Sequence, residues 1–190
     1  MNYYDQNSKQ FIKSTFKLDL SDFYTRFEKH LKPNAKILDL GCGPGRDLKY
    51  FSKQYTAVGL EPSSILAEYA RTHSNCIVHE TTIQEFKSEE KFDGVWACAS
   101  LLHLRKSELP SVFKILSNLL LKNGIIYCSF KYGDFEGERN GRFFSDLNEK
   151  GLKEMINDTD LEAIDQWLTG DVRVGRENEK WLNAILTIKP

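Results

Sequence analysis

Residues 37–51 read ILDLGCGPGRDLKYF. The run opens with strand character, turns through three glycines in five positions, and closes as the start of a helix. Gly41, Gly43 and Gly45 stand where the chain must reverse while its backbone comes close to a ligand. Glycine suits that task because it adopts left-handed backbone angles without a side-chain clash. In open α/β sheets such loops lie at the carboxyl ends of strands, where ligands bind.

Outward from this stretch, strands and helices alternate. TAVGLE, CIVHE, FDGVWACAS and IIYCSF read as further strands, and the apolar run in FDGVWACAS implies burial on both faces. Helices are expected from about 63 to 72, 107 to 121 and 146 to 157. In the second of these, Leu109, Val112, Phe113 and Leu116 recur at helical spacing. LEAIDQWL and WLNAILTIK have no helix between them and pair most simply as an antiparallel hairpin. The fold expected is α/β: a doubly wound, mostly parallel seven-stranded sheet with an antiparallel C-terminal hairpin. Before it, residues 1–36 read as a helical extension, broken near Leu18–Ser21, where Asp19 or Ser21 is placed to cap a second helix. The division is thus a lid over 1–36 and a ligand-binding domain over 37–190.

Composition narrows the function. Formal net charge is −1 across 190 residues, and acidic residues outnumber basic ones from Lys131 onward. A broad basic groove for nucleic acid is not expected. The four cysteines, Cys42, Cys76, Cys98 and Cys128, show neither paired nor zinc-type spacing, so no metal is expected and free thiols in a reducing cytoplasm are. No apolar run approaches the ~20 residues of a membrane span.

The loop itself discriminates among ligands. A phosphate-binding loop needs G-x-x-x-x-G-K-[ST], which is missing here, and the dinucleotide fingerprint is G-x-G-x-x-G rather than G-x-G-x-G. Asp39, just before the first glycine, would repel a pyrophosphate but suits a ligand with positive charge. Glu61, ending the next strand, can accept both hydroxyls of a ribose lying across the strand ends. A ribonucleoside without a phosphate tail fits both acids.

ILDLGCGPGR followed by GLEPS and FDGVWACASLLHL resembles class I S-adenosylmethionine-dependent methyltransferases, including the small tellurite-resistance-like branch. The resemblance implies that Asp39, Gly41, Cys42, Gly43 and Gly45 lie along the methionine part of the cofactor, with Arg46 reaching its carboxylate or pairing with Asp19, Asp22 or another acid. It implies that Glu61 holds the ribose, that Pro62 and Ser63 shape the adenine edge, that Thr82 and Ile83 pack the adenine, and that the backbone at Ala97 faces the methionine. The opening YYDQN is similar to the Tyr-Asp start such enzymes place over the cofactor, which assigns Tyr4 there, with Tyr3, Phe11 and Phe16 completing an aromatic lid. Electron-rich ring faces suit a sulfonium cation.

His103, just past the fourth strand, is the candidate general base, its alternative being a packed or capping histidine. The glycine-rich segment KYGDFEGERNGRFF and the later DVRVGRENEKWLN are read as loops over the carboxyl edge. From them Lys131, Tyr132, Arg142, Arg176 and Trp181, with Tyr3, are the candidate substrate contacts for a small, anionic acceptor. Arg173 is read as stapling its loop to a neighbouring acid. The remaining alternatives are an RNA acceptor, a module that binds S-adenosylmethionine without chemistry, and a nicotinamide-dependent oxidoreductase.

Overall fold

The computed structural model describes residues 3–173, 175–176 and 178–190; the side chain of Tyr3 lies outside the described residues, and so does Glu177. Helix α1 (Tyr3–Thr15) and helix α2 (Ser21–Glu28) precede strand β1 (Lys36–Leu40). The order continues with α3 (Arg46–Phe51), β2 (Thr56–Leu60), α4 (Ser64–Ser74), β3 (Ile77–His79) and β4 (Phe92–Ala97). After a single 3₁₀ turn, Leu101–His103, come α5 (Leu109–Leu119), β5 (Leu120–Lys131), β6 (Glu136–Arg139) and β7 (Arg142–Ser145). Helix α6 (Glu149–Ile156), β8 (Leu161–Gly170) and β9 (Lys180–Ile188) complete the chain.

Seven strands form one sheet in the order β3-β2-β1-β4-β5-β9-β8. The first five run parallel, and β9 pairs antiparallel with both β5 and β8. Strand order reverses on either side of β1, so the carboxyl ends of β1 and β4 flank the topological switch point where α/β sheets bind ligands. The glycine loop after β1 and the turn after β4 both fall there.

The core explains why these segments hold together. On one side of the sheet, α5 buries Leu109, Val112, Phe113 and Leu116, the residues at helical spacing. On the other, Phe27 of α2 is fully buried between Phe51 and Trp96, and burial of one such ring contributes about 2–3 kcal/mol. Trp96 in turn stacks on Tyr127, with ring centroids 4.1 Å apart. Helix α2 is therefore part of the main core, and its Phe23, with Leu18 and Leu20 before it, also borders the cavity, described below, that α1 covers. The break between the two helices differs in detail from the expectation: Leu20 occupies the cap position, and Asp19 instead accepts a hydrogen bond from the Ser21 amide at 3.0 Å.

The segment after β5 departs most from the sequence reading. Residues 136–145 form a second, two-stranded sheet of β6 and β7. Its turn is Asn140-Gly141, at φ 51° and 74°, the left-handed pair that a two-residue hairpin turn demands. The Asn-Gly signal was present in the sequence, but the flanking glycines and charges disguised the short strands. Strand β5 also begins earlier than IIYCSF, carrying an irregularity between the Phe92 and Gly94 pairings that absorbs Asn123 at φ 67°.

Candidate active site

At the end of β1 the backbone amides of Gly41 and Cys42 both donate to the Leu60 carbonyl, at 2.8 and 3.0 Å. This pins the glycine loop to the end of β2. The Glu61 carboxylate then spans the gap, accepting from the Gly43 amide at 2.9 Å and the Ser63 amide at 2.8 Å. Gly41 sits at φ 69°, and a Cβ there would meet the Ser100 Cβ at 2.6 Å, so this position is closed to any larger residue. Gly45 caps α3 at φ 84° and packs on Ala70, away from the cavity wall.

Three acids gather behind this loop. Asp39 is buried with Oδ2 lacking a hydrogen-bond partner. Burial, with the Asp47 and Glu61 charges nearby, holds its carboxyl well above the usual range. Burial likewise pushes Glu61 up to about 7, against the two amide hydrogen bonds. Buried carboxylates held above their usual range favour a cationic ligand that lets them ionise. The third acid, Asp47, is satisfied within the chain. Arg46 grips it with Nε–Oδ1 at 2.6 Å and Nη2–Oδ2 at 2.8 Å, while the Tyr24 hydroxyl and Trp96 indole donate at 2.6 and 2.9 Å. Arg46 thus pairs with Asp47 rather than Asp19 or Asp22, and its Nη1 reaches the Thr15 carbonyl at the end of α1, at 3.1 Å. Burial would raise Asp47, yet Arg46 and these donors hold it below the ordinary carboxylate range. The Cys42 thiol is buried and raised well above its usual value by burial and the surrounding acids, which suits a filler rather than a nucleophile.

These groups border a cavity of about 380 Å³. Gly41, Cys42, Gly43, Arg46, Glu61, Pro62, Thr82 and Ile83 line one end, and Tyr4, His103, Lys131, Arg142, Arg176 and Trp181 line the rest. Most of the sequence-predicted residues are thereby brought together. Four lie elsewhere. Asp39 is behind the loop rather than on the wall, and Ser63 is fully buried at the N-cap of α4, accepting from the Leu66 amide. Ala97 is buried within β4, and the lining begins one residue later, at Cys98. Tyr132 is exposed and donates to Glu149 at 3.1 Å; neighbouring residues of an extended chain face opposite ways, so Lys131 and Tyr132 cannot share the cavity. Of the expected aromatic lid, Tyr4 and Phe11 reach the cavity, Phe16 packs on Tyr69 and His73 instead, and the Tyr3 side chain is outside the described residues.

His103 is held from two sides. Its Nδ1 is 2.7 Å from the Phe143 carbonyl, which only accepts, so Nδ1 carries the proton. Nε2 is then the acceptor for the Tyr4 hydroxyl at 2.8 Å. Burial, reinforced by the Arg142 charge, pushes the ring down to about 4, so it is neutral at pH 7. Helix α1 is anchored a second time where the Ser63 hydroxyl donates to Asp5 at 2.5 Å.

Farther round, Asp171 accepts from Arg173 at 2.8 Å and from the Trp181 indole at 3.1 Å. Lys131 pairs with Glu179 and lies 5.1 Å from the centre of the Trp181 ring, and Arg176 stands 3.8 Å from the other Glu179 oxygen. Burial and the Arg173 charge lower the Lys131 ammonium. Sequence reasoning missed Asp47, Asp5 and the Tyr127–Asn183 hydrogen bond at 2.8 Å, whose two residues also line the cavity. The acid in GRD was a visible partner for Arg46; the β5–β9 register that joins Tyr127 to Asn183 was not.

A switch-point cavity with a glycine loop, a second-strand acid and this strand order defines the Rossmann-like fold of class I S-adenosylmethionine-dependent methyltransferases. Residues 37–124 match the methyltransferase domain family. S-adenosylmethionine is that family's cofactor, and the orphaned Asp39 oxygen and the bridging Glu61 carboxylate fit its cationic and ribose parts. Among solved structures, the chain resembles Burkholderia thailandensis 1,6-didemethyltoxoflavin-N1-methyltransferase with a TM-score of 0.77 at 18% identity, covering 98% of this chain and 84% of that one. A TehB-like methyltransferase from Corynebacterium glutamicum gives 0.73 at 20% identity, covering 98% of each. Trans-aconitate 2-methyltransferase of Enterobacter sp. (strain 638) is 32% identical over 48% of this chain and 37% of its own length. The chain spans about half the length, or less, of the curated relatives it matches. Among the described residues no helix is long and apolar enough to cross a membrane.

Proposed function

We propose that this chain transfers a methyl group from S-adenosylmethionine to a small-molecule acceptor carrying negative charge. The observation that carries the reading is the Glu61 carboxylate bridging the Gly43 and Ser63 amides at the mouth of one cavity that also contains His103. When bound, S-adenosylmethionine supplies a methyl already activated on a positively charged sulfur. The protein's own work is therefore alignment, water exclusion and proton handling. Glu61 fixes the ribose, and Asp39 places negative charge behind the methionine end. Helix α1 serves as the lid, held by Asp5 on Ser63 at the cofactor edge and by Tyr4 on His103.

His103 presents Nε2 to the cavity only through the Tyr4 hydroxyl, so a proton leaving the acceptor passes to Tyr4 Oη as the tyrosine's own proton moves to Nε2. The negative charge of the acceptor is supported by Lys131, Arg142, Arg173 and Arg176 on the wall. It is also supported by the one relative named above for an anionic small molecule, trans-aconitate. Titration calorimetry with S-adenosylhomocysteine and, separately, NADH tests the reading. Binding of the first alone, weakened in Glu61→Ala, is the expected result; NADH binding in its place would overturn the enzyme class.

A further inference from the structure

The loop from β8 to β9 carries two acids that are held in different ways. Asp171 has 2% of its side chain exposed and is committed on both oxygens. The Arg173 amide and Nε donate to Oδ1 at 2.9 and 2.8 Å, while Arg173 Nη2 and the Trp181 indole donate to Oδ2. Arg173 is thereby spent on the chain's own carboxylate. Glu179 is fixed through its backbone instead. Its carbonyl accepts from the Asp171 amide and its amide donates to the Arg176 carbonyl, each at 2.9 Å. Its side chain is 38% exposed, paired with Lys131 and more loosely with Arg176 at 3.8 Å.

Lys131 and Arg176 both line the cavity, whereas Glu179 is not part of its wall. The Lys131 side chain is 13% exposed, and its ammonium lies 5.1 Å from the centre of the Trp181 ring, which the bond to Asp171 holds in place. Burial and then the Arg173 charge weigh against the charged ammonium, with Asp171 and Asp146 acting the other way. A cation held there needs a negative partner, and the chain itself supplies one. The two partners differ in how firmly they are placed. Lys131 is set by β5 and by an aromatic face. Glu179 can leave by rotation of its own side chain, with the loop's backbone hydrogen bonds intact. An ion pair open to solvent on one side holds weakly.

We propose that Glu179 is a resident competitor for the acceptor's anionic group: it holds Lys131 and Arg176 until a carboxylate or sulfonate reaches them from the cavity, and then gives them up. The inference rests on the methyl-transfer reading, to which it adds the seat of the acceptor's charge and the residue that tunes its affinity. The seat is Lys131 with Arg176, because Asp171 already occupies Arg173. Exchanging one anion for another keeps negative charge beside Lys131, so an anionic acceptor enters without stranding a buried cation. A neutral isostere cannot replace Glu179 and gains nothing from the exchange. Selectivity for charge is thus set by a side chain outside the cavity wall.

The test titrates benzenesulfonate calorimetrically into the S-adenosylhomocysteine-bound enzyme, with neutral benzenesulfonamide as control. Glu179→Gln keeps the side chain's length and loses its charge. It should bind the sulfonate about five- to tenfold more tightly than wild type and the sulfonamide no differently; Glu179→Ser should reproduce the gain. Loss of a bystander acid would also help any anion, so the decisive arm is a Lys131→Gln background. There the gain from Glu179→Gln should shrink to within about twofold. A gain undiminished without Lys131 overturns the proposal. So does sulfonate affinity in Glu179→Gln equal to or below wild type, which would make the pair a staple of the β5–β9 junction. S-adenosylhomocysteine affinity is read first in every protein. Its absence in wild type sinks the methyltransferase reading, and the sulfonate titrations on the protein alone still decide the role of Glu179.

Discussion

The two ends of the cavity are built by opposite means. The cofactor end comes mostly from one continuous stretch, Asp39 to Ser63, folded as strand, loop, helix and strand, with Thr82 and Ile83 added from beyond β3, and its backbone amides are organised by a single carboxylate. The acceptor end is assembled from α1, the turn after β4, β5, β7 and the loop into β9, each giving one or two long side chains. A cofactor of constant chemistry can be met by one local motif, whose geometry is set by sequence neighbours. An acceptor specific to one enzyme is met by side chains brought together only by the completed fold. The cofactor end should therefore fail as structure when damaged, and the acceptor end as activity.

The sharpest break of that comparison is Asp47→Ala. The carboxylate receives Arg46, Tyr24 and Trp96 at once, so its removal strands a buried guanidinium and two buried donors. Loss of one partner from such a group costs about 3–5 kcal/mol. Denaturant unfolding should show a loss of that order; a change below ~1 kcal/mol would mean that the glycine loop and α2 are joined by apolar packing alone.

Next in size is Glu61→Ala, expected to weaken S-adenosylhomocysteine by about 100-fold, the equivalent of one or two hydrogen bonds to a charged group. Its pH dependence carries a sign. The Glu61 carboxyl is raised to about 7 in the folded protein from an ordinary value of 4.5. The folded chain therefore holds a proton that the unfolded chain has released between those values. Stability without cofactor should fall as pH rises through this window. Cofactor affinity should rise across the same upper range, because the ribose contact proposed for Glu61 needs the ionised carboxylate. Both slopes should flatten in Glu61→Gln, and parallel slopes in wild type would contradict the assignment.

Much of this end was legible before any coordinates. Gly41, Gly43, Asp39 and Glu61 are close in sequence, and their gathering at the ends of β1 and β2 follows from residue type and spacing. The seven-stranded sheet was legible too, since period and apolar runs are local signals. What escaped was set by three-dimensional neighbours. The hairpin at Asn140-Gly141 needs cross-strand pairing to tell it from a loop, and the Tyr4–His103 hydrogen bond joins residues 99 positions apart. Tyr132 was misplaced because the reading fixed where β5 ends but not which way each residue faces.

On the acceptor side, His103→Ala should lower turnover by ~10²-fold with cofactor affinity unchanged, and Tyr4→Phe should follow it in direction. Equal loss of both quantities would show that the histidine holds the lid rather than handling protons. A stability change as large as that expected for Asp47→Ala would erase the distinction between the two ends.

The smallest effect discriminates most finely. Lys131 and Tyr132 are adjacent at the end of β5, one on the cavity wall and the other exposed with its hydroxyl on Glu149. Lys131→Gln should weaken benzenesulfonate by several-fold, because it removes a charge that Arg173 and Arg176 already crowd. Tyr132→Phe, one residue along, should leave melting temperature, cofactor affinity and anion binding alike within error. If Tyr132→Phe weakens the anion as Lys131→Gln does, the end of β5 turns both side chains inward when the cavity fills. The pleat would then not set which residues meet the acceptor, and the acceptor end would be a surface that forms around its ligand rather than one waiting for it.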